Sequence, residues 1–471
     1  MKMQMVQIET LLFQGSSEEI ALAEQLYKAV AKMPIISPHG HVNPLLLVEN
    51  KPFANAADLF VTYDHYVTRL LHASGIDLAD LGVGGPVATD EALARKAWGL
   101  FCSNFQLLAG TSSGYWLTQE FKDIFEIFET PSAENADRLY DHIGSLLAIP
   151  EFLPRALFEK FGISVLATTD DPIDDLAAHR ALNEDPTFEG RVIPTFRPDR
   201  YLDPRAANWS ASVESLISAA GLGEVNYKNF IAAIELRRSY FIENGAVSAD
   251  HGVTEPYTCI LDEAEATGIF EHALEGNATA AELRDFAGHM LVEMARMSAS
   301  DGLVMTLHAG VVRNHSAATF ARFGADTGHD IPVQVEFTNN LKPLLNAYGL
   351  EPKLTLILFC LDEAAWNRDI APLAGFYPSV RVGAPWWFLD APDSALRFRE
   401  KTTEIAGFYR GSGFIDDTRA FMSIPARHDM ARRVDALFLA RLVSAGRITL
   451  EQAEQIAIDL VDAIPKAAFK L

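Results

Sequence analysis

From about residue 155 onward, short apolar runs alternate with longer stretches of helical periodicity, and few folds satisfy that alternation. The runs lie at residues 164–167, 191–196, 245–248, 303–307, 354–359, 380–383 and, late in the chain, 413–415. Between them, residues 227–243, 280–298 and 333–348 place apolar side chains at helical spacing. Such a pattern predicts parallel strands joined by helical crossovers. An earlier strand is expected at residues 33–37, behind a helix over 18–32 that carries Ile20, Leu22, Leu26 and Val30. It brings the strand candidates to about eight, which favours a closed (β/α)8 barrel. The alternative, an open doubly wound sheet, would need a glycine-rich phosphate loop after a strand, and none follows. Residues 44–155 show helical patterns, at 90–106 and 135–147 among others, and offer no strand. The predicted architecture is an α/β, distorted (β/α)8 TIM barrel. Residues 1–43 supply a helix and the first strand, 44–155 a helical insertion, and 156–471 the rest of the barrel.

Composition narrows the function. A chain of 471 residues with 49% hydrophobic and 22% charged side chains can bury a large core. Its 39 Lys+Arg against 63 Asp+Glu give a formal charge of −24, which argues against nucleic-acid partners and anionic membrane surfaces. An anionic substrate would then rely on a few local arginines, acting within a Debye length of roughly 8 Å. Cys102, Cys259 and Cys360 stand far apart and form no pair, as expected of buried thiols in a reducing compartment. Residues 1–14, with Gln4, Gln7, Glu9 and Thr10, lack the apolar core of a signal peptide, and no apolar run is long enough to span a bilayer. A cytoplasmic location is expected.

Chemistry in such a barrel gathers at the carboxyl ends of its strands. His39-Gly40-His41 follows the first strand, where residues i and i+2 of extended chain point to one side and two imidazoles can share an ion. The glycine between them is read as room for that ion. By itself the pair is common enough to arise by chance. Thr168-Thr169-Asp170-Asp171-Pro172 ends another strand, with an Asp either functional or capping a helix that starts at Pro172. Arg197 sits between Pro194 and Pro198, an unusual setting for a merely solvated arginine. Asp250-His251 and His308 follow further strands, with Arg313 just beyond. Trp386-Trp387-Phe388 reads as core or as an apolar wall at the mouth. Asp416-Asp417-Thr418-Arg419 follows the last strand, which in a barrel neighbours the first. A carboxylate there could join His39 and His41, and two imidazoles with one carboxylate make a catalytic rather than a structural metal site.

Taken in order, these motifs, with Asp64-His65-Tyr66, Arg69, Arg313-Asn314 and Asp326-Thr327-Gly328, resemble the uronate (glucuronate) isomerase family of the amidohydrolase superfamily. The resemblance is collinear over about residues 20–445. It implies an aldose–ketose isomerase interconverting D-glucuronate and D-fructuronate, or D-galacturonate and D-tagaturonate, through an enediol. It also implies a divalent metal, zinc, held by His39, His41 and Asp417. The ion would bind the substrate carboxylate and its C5 hydroxyl. Asp417 would initiate proton abstraction, Tyr66 would move a proton between O1 and O2, and His65 would orient the substrate. Substrate binding would fall to Arg197, His308, Arg313, Arg419, Asp250 and Trp387. A homo-oligomer is the expected assembly. Without the resemblance, Asp64-His65-Tyr66 reads as a surface helix.

The chain departs from the family pattern in three places: Asn314-His315-Ser316 where asparagines run on, Leu389 before Asp390, and the added Ala426 before Arg427-His428. These are expected beside the site rather than in it. Two other functions fit the same residues less well. A metal-dependent hydrolase of the superfamily with two ions would use a bridging lysine, and no lysine stands at a strand end. A non-catalytic sugar-acid binder leaves Tyr66 and Asp417 without a purpose.

Overall fold

The computed structural model describes residues 11–471. Most of the leading segment considered for a signal peptide, residues 1–10, lies outside the described residues. Ten strands are present among the described residues: β1 (Ile35–Ser37), β2 (Ile163–Ala167), β3 (Arg191–Ile193), β4 (Thr195–Phe196), β5 (Ser248–Val253), β6 (Val304–Ala309), β7 (Val311–Val312), β8 (Ile331–Pro332), β9 (Leu356–Cys360) and β10 (Val380–Val382). β1, β2 and β3 pair in parallel, and β4, β5, β6, β9 and β10 form a second parallel run. Pro194, which has no N–H to give a ladder, separates β3 from β4. The two runs are one series nonetheless. Asp170 N–H donates to Thr195 O and Arg197 N–H to Asp170 O, at 2.9 and 3.0 Å, across the break.

The eighth position holds no regular strand. The piece expected at 413–415 is irregular chain that touches β10 through a bridge between Val382 and Gly411. At its other end, His41 N–H donates to Thr418 O at 2.9 Å, so this segment links the last strand to the chain leaving the first. Gly411 and Gly413 (φ +74°) bend it away from ladder geometry.

Other boundaries moved for local reasons. Gly245 (φ +92°) belongs to a turn, and β5 begins only at Ser248. Asp250, His251 and His308 therefore lie within strands rather than beyond them: polar residues are tolerated there because they bond across the β5–β6 ladder. The helix expected over 333–348 starts at Lys342, because Val333 N–H is taken by Gly310 O (2.9 Å) beside the β7–β8 hairpin. No helix starts at Pro172. Asp171 instead accepts from Ile173 N–H (3.1 Å) in a turn, and the next helix begins at Ala177.

The strand interiors read as buried runs, Leu-Ile-Leu-Phe-Cys in β9 and Val-Met-Thr-Leu-His-Ala in β6, as expected of parallel strands covered on both faces. Between β1 and β2 the chain is helical throughout, and Trp98, Phe101, Phe121 and Phe125 from this stretch share a core with Leu166, Phe421 and Met422. Its helices are thereby anchored against the barrel, near the irregular eighth segment. Cys102 and Cys360 are buried and Cys259 half-buried, all three as free thiols. Among the described residues, no helix is long and apolar enough to cross a membrane.

Candidate active site

At the carboxyl ends of the strands opens a cavity of about 930 Å³. β1 and the turn after it deliver His39 and His41, whose Nε2 atoms stand 3.4 and 2.8 Å from Asp417 Oδ1. Gly40 does not face that point. A Cβ there would look toward Ala167 O and Asp416 Oδ1, at 3.5 and 3.4 Å, so the room read for an ion is not what this glycine provides. Asp417 holds a left-handed backbone (φ +42°), a conformation that non-glycine residues adopt at a cost and that clusters at functional sites. Its neighbour Asp416 turns away and accepts from His428 Nε2 at 3.0 Å.

A cation fits this cradle. Asp417 Oδ1 is buried and, despite its closeness to both imidazoles, makes no hydrogen bond of acceptable angle to either. Three candidate ligand atoms, one from each of His39, His41 and Asp417, lie within 4.8 Å of one another. Burial works to raise the Asp417 carboxyl, but the two imidazoles outweigh it and hold its pKa well below the usual range. For His39 burial pulls down, and the carboxylates of Asp250 and Asp417 together reverse the sign. His41, with Asp417 as the single carboxylate acting on it and both His39 and Arg197 working against its charge, is pulled down, chiefly by burial. A second trio, His39, Asp250 and His308, is also close enough to hold an ion. Its carboxylate is already engaged: His308 Nδ1 lies 2.7 Å from Asp250 Oδ1, Thr306 Oγ1 donates to the same oxygen at 2.7 Å, and Arg197 stands 3.5 Å from Oδ2. We read it as an ion-paired wall.

That wall follows from register. In the β5–β6 ladder Asp250 pairs with Thr306 and Gly252 with His308, so both side chains rise on the inner face. His308 is then sandwiched: its ring stacks on His39 (4.8 Å between centroids) and on Phe359 (4.3 Å). With Nδ1 turned to Asp250, His308 Nε2 is buried without a protein partner. His251 points the other way, with Nδ1 donating to Thr306 O at 2.9 Å. Arg197, on the chain leaving β4, gives its Nε to Asp199 (2.9 Å), which in turn accepts from Gly252 N–H (2.9 Å).

The mouth is built from four segments, one of them a helix. The helix His65–Ala73 is capped by Asp64, which accepts from Tyr66 N–H at 2.9 Å, and the cap aims His65 and Tyr66 into the cavity. The surface-helix reading is thereby replaced. The two rings stack at 4.9 Å, and Trp387 meets His65 edge-on at 5.5 Å. Burial first, then Arg419, lowers His65 to about 4, so it is neutral near pH 7. Trp387, also left-handed (φ +49°), carries the Arg313 guanidinium over its ring at 4.8 Å and keeps a buried, unpaired indole N–H. Arg313 pairs with Asp330 at 2.9 Å and Arg419 with Asp326 at 2.8 Å.

A sequence profile of the family described as glucuronate isomerase matches residues 10–466. The chain belongs to the glucuronate isomerase family. The uronate isomerase of Corynebacterium efficiens is 49% identical over 451 residues, 96% of each chain. That of Cutibacterium acnes is 47% identical over 98% of each. A crystal structure of glucuronate isomerase from Caulobacter crescentus superposes with a TM-score of 0.95 at 43% identity, covering 99% of this chain and 97% of that one. The Caulobacter protein has the same overall fold.

Two groups in the site escaped the sequence reading. Arg427, expected beside the site, lines the cavity, and Asp390 bonds it from behind (2.9 Å). Arg427 sits on the helix Ile424–Ser444, which starts right after the irregular eighth segment. That placement was the available signal, since in such a barrel the helix after a strand starts at the mouth and its first turn lies beside the site.

Proposed function

We propose that the chain is a metal-dependent aldose–ketose isomerase of hexuronates, interconverting D-glucuronate with D-fructuronate and/or D-galacturonate with D-tagaturonate. The observation that carries this reading is the meeting, in one cavity, of a His39–His41–Asp417 cradle, the half-buried phenol of Tyr66 and three strand-end arginines, in a chain of this family. A bound divalent ion, for which zinc suits the two imidazoles and one carboxylate, would neutralise substrate charge and acidify a coordinated hydroxyl. Arg197, Arg313 and Arg419 supply the cationic forks that a carboxylate substrate needs within an acidic protein. Asp417, with the C5 hydroxyl, initiates removal of the proton from C2, which is returned to C1. Tyr66 gives its phenolic proton to one of O1 and O2 and takes one from the other, so no net proton is consumed. Neutral His65 orients the sugar from above, while His308 Nε2, Asp250 and the Trp387 indole N–H meet hydroxyls below and beside it.

Helices of residues 44–155 act as an insertion that brings Tyr66 over the mouth. A homo-oligomer in the cytoplasm suits a catabolic enzyme of this kind. Among the described residues no lysine lines the cavity, which favours one ion and isomerisation over a lysine-bridged hydrolase centre. The test is incubation of metal-loaded protein with D-glucuronate and D-galacturonate in heavy water, following ketose formation and deuterium uptake. Ketose from at least one uronate is expected, and none from either sinks the proposal.

A further inference from the structure

Behind Tyr66 lies a buried cation that the reaction as described does not use. Arg427 is 2% exposed. Its Nε donates to Ser423 Oγ (3.0 Å), and one terminal nitrogen donates to Asp390 Oδ2 (2.9 Å) and the Asp416 carbonyl (3.3 Å). The guanidinium lies flat against Trp116, 3.6 Å from the ring centroid, and stands 5.3 Å from the centroid of Tyr66. The Trp116 and Tyr66 rings meet edge to face at 5.9 Å. Buried arginine is expensive, and replacing such an ion pair by apolar side chains is often neutral or stabilising, so the pair does not explain itself as a stability device.

We propose that Arg427 is a positioning residue for Tyr66, fixing the phenol over the cavity and placing a positive charge near the ring whose hydroxyl gives and regains a proton. The inference rests on the reading of Tyr66 as the proton shuttle. A cation held near a ring of rising negative charge stabilises the moment of transfer without moving, because Asp390, Ser423 and the Asp416 carbonyl hold it in place. Burial pushes the Tyr66 hydroxyl up, and the neighbouring arginine opposes that push. Arg427 also borders the cavity. Because it acts through Tyr66, its removal weakens turnover rather than binding, whereas a direct contact with substrate would show in KM.

Four proteins test this: Arg427→Gln, Arg427→Lys, Tyr66→Phe, and Arg427→Gln in the Tyr66→Phe background. Arg427→Gln is expected to lower kcat about 30-fold, the scale of one desolvated cation–ring contact, with KM within about threefold. Lysine keeps the charge and should recover about fivefold of that loss. In the Tyr66→Phe protein the same Gln substitution should cost less than about threefold, because the two side chains act as one unit. An equal loss in both backgrounds, a loss carried by KM, or no recovery with lysine overturns the inference. If Arg427→Gln does not fold, Arg427→Gln with Asp390→Asn leaves no uncompensated buried charge and takes its place in every comparison. The two readings fail differently. Tyr66→Phe with kcat near wild type removes the shuttle and this inference with it, whereas a slow Tyr66→Phe beside an unimpaired Arg427→Gln removes the inference alone.

Discussion

Single side chains in this site are held in states that water would not give them. Asp417 is the sharpest case, its carboxyl pinned low between two imidazoles on a left-handed backbone. Replacing it with Asn keeps the shape and removes the proposed base and anionic ligand. Turnover should fall by about 10³-fold or more, as for loss of a general base, with the circular dichroism spectrum unchanged; near wild-type activity would take Asp417 out of the mechanism. Glu120, packed among the insertion helices, is pushed the other way. Burial, then Asp64, raise it to about 8, while Arg427 opposes them. A carboxyl that binds its proton more tightly in the folded protein loses stability as pH climbs from its ordinary value of 4.5 toward 8. Glu120→Gln removes that loss. Its melting temperature should therefore exceed that of the parent by a margin that widens between pH 5 and about 8 and then levels. A margin independent of pH would mean that Glu120 does not titrate in that window.

Elements set which of these side chains can meet. The His65–Ala73 helix is pinned at its start by Asp64 and is packed from outside by the loop carrying Asp326, the partner of Arg419. Gly328 in that loop has φ +91°, and a Cβ there would lie 2.7 Å from Arg69 Cβ and 3.2 Å from His65 O. Gly328→Ala cannot be accommodated without shifting the loop or the helix, and the left-handed backbone adds about 1 kcal/mol. We expect KM for the uronate to rise several-fold, since the substitution disturbs His65 and the Arg419–Asp326 pair, while the barrel melts within a few degrees of the parent. An unchanged KM would show that the loop and helix do not register the substrate. The irregular eighth segment teaches the same lesson from the other side. By giving up ladder geometry it can turn Asp417 toward His39 and His41 while Asp416 faces His428.

At the scale of the whole molecule the barrel does not need its ion to stand, because its core is apolar and independent of the cradle. Chelation should abolish ketose formation, lower the melting temperature only modestly through lost binding energy, and be reversed by about one equivalent of divalent metal per chain. Loss of the fold on chelation would assign the ion a structural role. Much of this was legible in the residues alone. Periodicities of two and 3.6 are local properties, so the parallel strands, the strandless stretch after the first of them and the His39-Gly40-His41 pair could be read directly, along with the arginines at the strand ends. What sequence could not decide was who faces whom across distance. That Asp250 binds His308 depends on a one-residue register between β5 and β6. That the last strand becomes irregular chain depends on its bonds to Val382 and His41. That Arg427 meets Tyr66 depends on how the helix starting at Ile424 packs against the insertion. Each is a non-local contact, settled by packing of the assembled barrel; Gly411 and Gly413 mark a bend, and Arg427 a helix start, but neither names its partner across the fold.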